Sequence, residues 1–333
     1  MANSIKLSHG NGGVENQTLI KDIFFKEFEN PLLRDEDAAV LDGYTKLAFS
    51  TDSFVVSPIF FPGGDIGKLA VYGTCNDLSM VGATPKYLSV SFIIEEGFSI
   101  ESLKNIAISM GECAREIGVN IVTGDTKVVG KGSVDKIFIN TSGIGEIKQE
   151  GISASNLQKG DVIIFSASIG NHGATIYSQR EGIALESDLK SDCGNLYPPI
   201  KALIESNIKI KALRDATRGG VAAVLNEWCG SSNVDIKIKE SNIIQKEEVR
   251  GICELLGFEP YYLANEGMFV LCVAKEEAPR ALGILKNIEI SKDATIVGEV
   301  IEKSDNKKVI LESSWGTLRY LDPPTGELLP RIC

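Results

Sequence analysis

Hydrophobic residues near the N-terminus recur at intervals of three and four, which places them on one face of an amphipathic helix. This helix is predicted to end near Asn30-Pro31. Short apolar runs bounded by polar residues follow at 38–41, 47–49 and 54–56, a pattern typical of strands. The residues that define the helical face are Leu19, Ile20, Ile23, Phe24 and Phe28.

The remaining pattern mixes single helices with strands in both halves of the chain. In the first half it predicts helices over 65–82 and 99–117, and strands over 87–94, 120–123 and 136–147. In the second half it predicts strands over 161–166, 235–238, 267–273 and 294–300, and helices over 197–206, 219–229, 246–256 and 275–285. This order indicates the α+β class in both halves.

A domain boundary is indicated by the cluster of glycine, serine and polar residues at 149–160. We therefore expect an N-terminal α+β domain over 1–150 and a C-terminal α+β domain over 151–320. The last residues, 321–333, hold three prolines and a glycine, which predicts an extended tail. The length of 333 residues is about twice the ~150 residues expected of one domain, in agreement with two domains.

Charge and apolar content argue against two classes of protein. The 45 acidic and 34 basic side chains give a net charge of -11, which repels nucleic-acid backbones and anionic membranes. No stretch approaches the ~18 apolar residues of a membrane helix, and the N-terminus lacks the basic and apolar segments of a secretory signal. We expect a cytoplasmic protein that binds neither nucleic acid nor membrane.

The cysteines and histidines restrict the kind of metal site. The seven cysteines include no CxxC pair, which argues against a disulfide framework and against a thiolate zinc or iron–sulfur site. The two histidines, His9 and His172, are too few for a three-histidine centre. Any catalytic metal is therefore held mainly by carboxylates, which favours magnesium.

Aspartates at the ends of predicted strands are the first candidates for such a site. Strand ends often direct side chains into a shared crevice, although a single aspartate there more often caps a turn. Four residues have this placement: Asp37, Asp52, Asp125 and Asp215.

Asp77 is a fifth candidate, because it falls near the middle of the apolar face of the helix predicted over 65–82. Asn76 lies at the edge of the same face. An ionised carboxylate buried there needs a cation, hydrogen-bond donors or a proton. A structural salt bridge is the alternative interpretation.

Three glycine-marked segments suit phosphate binding, although no P-loop or GxGxxG motif fits. The segment His9–Gly13 can close over a nucleotide through backbone N–H groups, or it is simply a disordered N-terminus. GDTK at Gly124–Lys127 sets a carboxylate and an ammonium group two residues apart after a predicted strand, which suits a metal-bound phosphate. RDATRGG at Arg214–Gly220 is similar, and its glycines would open the next helix at an anion-accepting end.

Glu266 and Cys333 complete the candidates. Glu266 stands just before the strand predicted over 267–273 and is either a functional carboxylate or a turn residue. Cys333 is the last residue of the proline-rich tail. The twelve residues from Asp322 to Cys333 span at most ~40 Å, so the thiol can travel between two sites. An incidental terminal cysteine is the alternative.

Taken together, these motifs resemble the HypE family of hydrogenase maturation proteins. The family belongs to the superfamily of aminoimidazole ribonucleotide synthetase and selenophosphate synthetase. The resemblance runs from end to end through SHGNGG, FSTDSFVVSPIFFPGGDIGKLAVYGTCNDLSMVGATPKYLS, IVTGDTKVV, IFINTSGIG, KALRDATRGGV, ICELLG, LANEGMFV and the terminal PRIC. The tail is the most specific of these, because other superfamily members lack it. Asn11 in the opening HGxGG is a minor departure.

The resemblance implies an ATP-dependent dehydration of an S-carbamoyl group on the C-terminal cysteine. The product is a thiocyanate whose cyanide goes to the iron of nickel-iron hydrogenase. The implied cofactors are ATP and Mg2+, and the implied partners are HypF as carbamoyl donor and the HypC-HypD complex as cyanide acceptor. A homodimer is also implied, in which the N-terminal sheets of two subunits pair into a barrel with ATP near their junction.

With this resemblance the candidate residues take roles. We assign metal binding to Asp52, Asp77, Asp125 and Asp215, and ATP binding to Gly10, Gly12, Gly13, Asp37, Lys68, Asn76, Gly124 and Thr126. Catalysis is assigned to Cys333, Lys127 and Glu266. The chemistry agrees, because an amide oxygen is a poor leaving group until it is phosphorylated, and a base is then needed, either Glu266 or Lys127.

Two other interpretations stay open. One is another ATP-dependent kinase or synthetase of the same superfamily, in which Cys333 takes no part. The other is a non-catalytic carrier that presents the tail to partners.

Overall fold

The structure is a computed structural model that describes residues 4–10, 13–34, 38–182 and 188–325. The helices are α1 (Val14–Leu19), α2 (Ile66–Met80), α3 (Ile100–Ile117), α4 (Asn171–Arg180), α5 (Tyr197–Glu205), α6 (Gly220–Ser232), α7 (Glu247–Leu256) and α8 (Ala278–Lys286). A π-helical stretch, Ile20–Phe25, continues α1. Within the described ranges, no helix combines the length and the apolar character needed to cross a membrane.

The strands fall into two large sheets and a two-stranded ribbon. Those of the first half are β1 (Leu47–Phe54), β2 (Phe60–Phe61), β3 (Gly64–Asp65), β4 (Ala83–Glu95), β5 (Asn120–Val129) and β6 (Ile137–Ile147). Those of the second half are β7 (Val162–Phe165), β8 (Ile210–Asp215), β9 (Val234–Lys239), β10 (Phe269–Val273), β11 (Thr295–Lys303), β12 (Val309–Glu312) and β13 (Leu318–Tyr320).

The first sheet has the strand order β1-β6-β4-β5, with only the β4–β5 pair parallel. Helices α2 and α3 pack together over one face, where alternate strand residues join their apolar side chains in one core. The carboxylate of Asp65 starts α2 by accepting hydrogen bonds from the N–H groups of Gly67 and Lys68. Gly118 ends α3 in the left-handed conformation.

The second sheet has the order β13-β12-β9-β11-β7-β10-β8, and its strands β7 and β10 are buried on both faces. Along β7, Ile163 and Phe165 point into a core shared with α6, whereas Val162 and Ile164 point into a core shared with α5 and α8. This two-sided burial explains why β7 and β10 read as continuous apolar runs rather than alternating ones.

The observed architecture confirms the predicted fold class of two α+β units. The helices predicted over 65–82, 99–117 and 197–206 correspond to α2, α3 and α5. The strand predicted over 38–41 is wrong: these residues form no strand, and Val40 is 88% exposed because no neighbouring strand reaches it within one chain. The helix α4 and the strands β12 and β13 were not predicted.

Candidate functional site

A cavity of about 260 Å³ lies between the first sheet and the second unit. Strand β1, helix α2, the end of β8 with its following loop, and the turn before β10 all contribute to its wall. The side chains that give it chemical character are Asp52, Asp77, His172, Asp215, Arg218 and Glu266. The structure therefore brings together four of the carboxylates predicted from sequence.

On the side of the first unit, a glycine sets the distance between β1 and α2. A Cβ atom on Gly73 would lie 2.8 Å from the ring of Phe54, so only glycine allows this approach. Asp52 lies two residues before Phe54 on β1, and Asp77 lies one helical turn after Gly73 on α2. The hydroxyl of Ser50 donates a 2.9 Å hydrogen bond to Asp77 Oδ2, which fixes that carboxylate at the cavity.

On the side of the second unit, two neighbouring strands position the other carboxylates. Asp215 is the last residue of β8, and its cross-strand partner is Phe269, the first residue of β10. The turn that leads into β10 therefore carries Glu266 to the same edge of the sheet. Gly267 is required in that turn, because a Cβ atom there would lie 1.7 Å from the carbonyl oxygen of Asp192.

Burial raises the pKa of all four carboxyl groups, and repulsion by neighbouring carboxylates adds to this at Asp77, Asp215 and Glu266. Burial raises the pKa of Asp215 to about 7, with further contributions from the charges of Asp77 and Asp52. Burial also raises the pKa of Glu266 well above its ordinary value, and Asp215 adds to this. Arg218 opposes the upward pKa shifts of Asp52 and Asp77. The cavity is thus a region of excess negative potential that favours a cation or a proton.

The carboxylate oxygens of this cavity are the type of ligand that magnesium prefers. In the described part of the chain, however, no three His, Cys, Asp or Glu side chains lie close enough to form a complete metal site.

A second cavity, of about 280 Å³, collects another group of predicted residues. It lies along β5 beside the first helical segment, and its lining includes Gly10, Gly124, Asp125, Thr126 and Lys127. The prediction that Asp52 and Asp125 follow strands is wrong. Asp52 lies within β1, which continues to Phe54 through pairing with β6, and β5 continues to Val129 through pairing with β4. Lys127 Nζ lies 3.0 Å from Asp125 Oδ2, and both side chains are more than half exposed.

The glycines of the N-terminal segment have different environments. Gly10 packs against β5, since a Cβ atom there would lie 2.8 Å from the backbone nitrogen of Val128. Gly13 is exposed and precedes α1, with open space around its Cβ position. Three further predicted residues, Gly12, Asp37 and Cys333, lie outside the described residues.

Lys68 and Asn76 line neither of these two cavities. The backbone N–H of Lys68 is part of the N-terminal cap of α2. The Asn76 amide ties the two units together, because it donates to the carbonyl of Gly194 and accepts from the N–H of Leu196. Their assignment to ATP stays a prediction.

The two arginines and the histidine of the first cavity were not assigned a role from the sequence. Arg214 and Arg218 flank Asp215 in RDATRGG, and this alternation of charges around a strand end is the signal that indicates them. His172 belongs to the unpredicted helix α4. It is buried, its Nδ1 lies 2.8 Å from Ser191 Oγ, and burial lowers its pKa to about 3, so it is neutral.

The described part of the C-terminal tail packs against Gly219, the residue after Arg218 of this cavity. A Cβ atom on Gly219 would lie 2.9 Å from Pro324 Cγ, so the tail crosses the chain directly after Arg218. Gly219 has a φ of +75°, a second reason for glycine at this position.

Comparisons with known proteins agree with this architecture. The family model for the N-terminal domain of AIR synthase related proteins matches residues 35–147, and that for the C-terminal domain matches residues 158–310. Carbamoyl dehydratase HypE of Escherichia coli strain K12 is 48% identical over 339 residues, covering 99% of this chain and 100% of the relative. The chain belongs to the HypE family of hydrogenase maturation proteins.

Solved HypE structures are also similar to this chain. A crystal structure of the hydrogenase maturation protein HypE in complex with ATP is 46% identical, with a TM-score of 0.94 over 98% of this chain and 99% of that one. A crystal structure of a HypE-HypF complex is 49% identical, with a TM-score of 0.80 over 92% and 99% of the two chains. The similarity thus extends over both units.

Proposed function

We propose that this chain is an ATP-dependent carbamoyl dehydratase acting on an S-carbamoyl group carried by its own Cys333. The product is a thiocyanate on that sulfur, which supplies cyanide for the iron of nickel-iron hydrogenase. The observation that carries the proposal is the convergence of four carboxylates on one cavity, together with the contact of the C-terminal tail with Gly219, the neighbour of the cavity residue Arg218. Membership of the HypE family, with a carbamoyl dehydratase among its members, supports the reaction.

The other cysteines support Cys333 as the modified residue. The six cysteines in the described ranges are free thiols, of which five are buried and Cys193 is half-buried. Burial raises the pKa of Cys113 and of Cys253 to about 11, so these thiols are poor nucleophiles near neutral pH. We therefore propose Cys333, rather than one of these six, as the modified residue.

The proposed reaction has two steps. The amide oxygen of the S-carbamoyl group attacks the γ-phosphorus of ATP, ADP leaves, and one N–H proton passes to a base. Loss of the second N–H proton then expels phosphate and forms the C≡N bond. The amide oxygen leaves in the phosphate, so ATP is converted to ADP and phosphate while the thiocarbamate loses the elements of water.

Glu266 is the better candidate for the base. Burial among carboxylates raises its pKa well above the ordinary value, which brings a carboxylate toward the basicity that proton transfer near neutral pH requires. Lys127 suits the stabilisation of negative charge on the transferring phosphoryl group or on the activated oxygen. A bound magnesium ion would supply further charge neutralisation, with Asp52, Asp77, Asp125 and Asp215 as its proposed ligands.

We also propose that the working form is a homodimer. One face of the first sheet exposes large apolar side chains: Phe49 is 70% exposed, Leu47 49% and Ile93 40%. A second copy of the same sheet would cover them and form the barrel that the family implies.

The dimer also accounts for the two separate cavities. Asp52 lies on edge strand β1 and Asp125 on the opposite edge strand β5, three strand spacings of ~4.8 Å away. We propose that each ATP site combines the β1–α2 carboxylates of one chain with the β5 residues of the other. HypF is the proposed carbamoyl donor, as the HypE-HypF complex of a relative supports, and the HypC-HypD complex is the proposed cyanide acceptor.

The test is to measure ADP formation by the full chain before and after carbamoylation. Wild type should release one ADP for each carbamoylated chain. The Cys333→Ala variant should bind ATP with unchanged affinity but show no carbamoyl-dependent ADP, whereas the buried-site control Cys253→Ala should behave as wild type. Turnover by Cys333→Ala on a small-molecule acceptor would favour the kinase or synthetase alternative, and absence of ATP binding by wild type would favour the carrier.

A further inference from the structure

We propose that Tyr262 and Asn226 are positioning residues that clamp the start of the C-terminal tail beside the cavity. This inference rests on the proposed function, because its purpose is to deliver Cys333 to that cavity. Neither residue lines the cavity itself, so neither contacts the reacting atoms.

The clamp consists of two hydrogen bonds to successive backbone carbonyls of the tail. The Asn226 amide donates a 3.0 Å hydrogen bond to the carbonyl of Leu321, and the Tyr262 hydroxyl donates a 3.0 Å hydrogen bond to the carbonyl of Asp322. The Leu321 side chain is 1% exposed and belongs to the apolar core of the second unit. The backbone is therefore fixed from the side of α6 and from the turn that precedes Glu266.

The clamp also sets the direction in which the tail leaves. After Asp322 the chain runs over Gly219, where Pro324 packs against the glycine backbone. Gly219 is the residue after Arg218, whose side chain lines the cavity. The tail thus starts next to the neighbour of a residue that lines the proposed site.

A fixed start shortens the tether that carries the thiol. From Thr325, the eight remaining residues span at most about 28 Å, and the cavity is lined by Arg218, the neighbour of the Gly219 on which Pro324 packs. If the clamp opens, the free tether grows to twelve residues. Effective concentration falls roughly as the −3/2 power of tether length, so the delivery of Cys333 should fall about twofold.

The test compares reaction of the attached tail with reaction of a free peptide. The first assay measures the single-turnover rate of thiocyanate formation on Cys333 in the full chain. The second uses the full-length Cys333→Ser variant with an added S-carbamoylated peptide of sequence GELLPRIC. The clamp variant is Tyr262→Phe combined with Asn226→Ala. The matched control is Tyr320→Phe, which removes a hydroxyl from a 57% exposed ring on the neighbouring strand.

The clamp variant should slow the attached reaction about twofold or more and leave the free-peptide rate unchanged, and the control should alter neither. Hydrogen exchange of the Leu321 amide, which donates to the Val309 carbonyl, should accelerate in the clamp variant. Equal slowing of both reactions, or no slowing with unchanged exchange, would overturn the proposal. Failure of the proposed function is distinguishable, because wild type would then form no thiocyanate in either assay.

Discussion

The Oδ1 atom of Asp192 accepts a 3.2 Å hydrogen bond from the backbone N–H of Glu266. The second oxygen of the same carboxyl group, Oδ2, is shielded from solvent and has no hydrogen-bond partner among the described residues. Burial raises the pKa of Asp192 to about 6. Asp192 therefore fixes the proposed base and also acts on its acidity, because the Asp192 charge contributes to the raised pKa of Glu266.

This relationship predicts the pH dependence of an Asp192→Asn variant. The substitution retains an oxygen that can accept from the Glu266 N–H but removes the nearby charge. The pKa of Glu266 should fall, so the rising limb of the rate against pH should move to lower pH. Measurement of single-turnover thiocyanate formation across pH checks this. The control Asp188→Asn, at an exposed position on the same segment, should leave the profile in place, and a profile unmoved by Asp192→Asn would contradict the coupling.

The proposed role of Asp77 as a magnesium ligand predicts how an Asp77→Asn variant binds ATP. Asp77→Asn keeps the size of the side chain and its contact with Ser50 but removes one of the proposed ligand charges. ATP affinity should fall, and its increase with added magnesium should be partly lost. Titration calorimetry with and without magnesium measures both quantities. Unchanged magnesium-dependent binding by the variant would remove Asp77 from the ligand set.

Stability of the chain without ligands should depend on pH through Asp215. Its native pKa of about 7 lies above the unfolded value near 3.8, so between these limits the native state binds more protons than the unfolded state. Stability from this group is therefore greatest at low pH and falls as pH rises through this window. Asp215→Asn removes this loss of stability and should stabilise the chain at pH ~8 by up to about 4 kcal/mol.

Thermal unfolding at several pH values tests this expectation. The gain in Tm of Asp215→Asn over wild type should shrink as the pH is lowered toward 4. The exposed control Asp305→Asn should show no such trend. An Asp215→Asn variant less stable than wild type at high pH would contradict the prediction. It would show that other groups of the same chain stabilise the ionised Asp215 carboxylate.

Much of the fold was predictable because local pattern and tertiary packing agree. The helix α3 has an apolar stripe that faces the core, and Ser99 caps its first turn. The helix α4 was missed because Asn171, His172 and Gly173 are buried at its start, where an amphipathic helix would expose polar residues. The His172 ring is satisfied by Ser191, nineteen residues further along the chain, a contact that no local pattern reveals.

The sequence predicted which residue types form the candidate site, but it did not predict their spatial arrangement. Asp77 was expected on the core face of its helix, and the structure instead places it, half-buried, at a cavity closed by the second unit. Strand-end placement grouped Asp125 with Asp52, yet pairing with β4 extends β5 past Asp125 and leaves it on the far edge of the sheet. Sheet order and strand length depend on long-range pairing, so single-strand patterns do not determine them.

That separation predicts complementation between two inactive variants. If each ATP site takes Asp77 from one chain and Asp125 from the other, Asp77→Asn and Asp125→Asn homodimers are both inactive. A mixed dimer keeps one intact site of two, so random mixing should restore about one quarter of wild-type activity. Co-expression of the two chains followed by an ADP assay measures this. Light scattering should show a dimer, and an absence of restored activity in verified mixed dimers would mean that one chain supplies both groups.

The most direct test of the account is mass spectrometry of the C-terminal peptide. The full chain is carbamoylated by a carbamoyltransferase, ATP and magnesium are added, and the peptide ending in Cys333 is weighed before and after one turnover. The account predicts that the carbamoylated wild-type peptide becomes lighter by one water molecule, and that Glu266→Gln binds ATP while its peptide stays carbamoylated. An unchanged wild-type peptide, or the same mass loss at another cysteine, would contradict it.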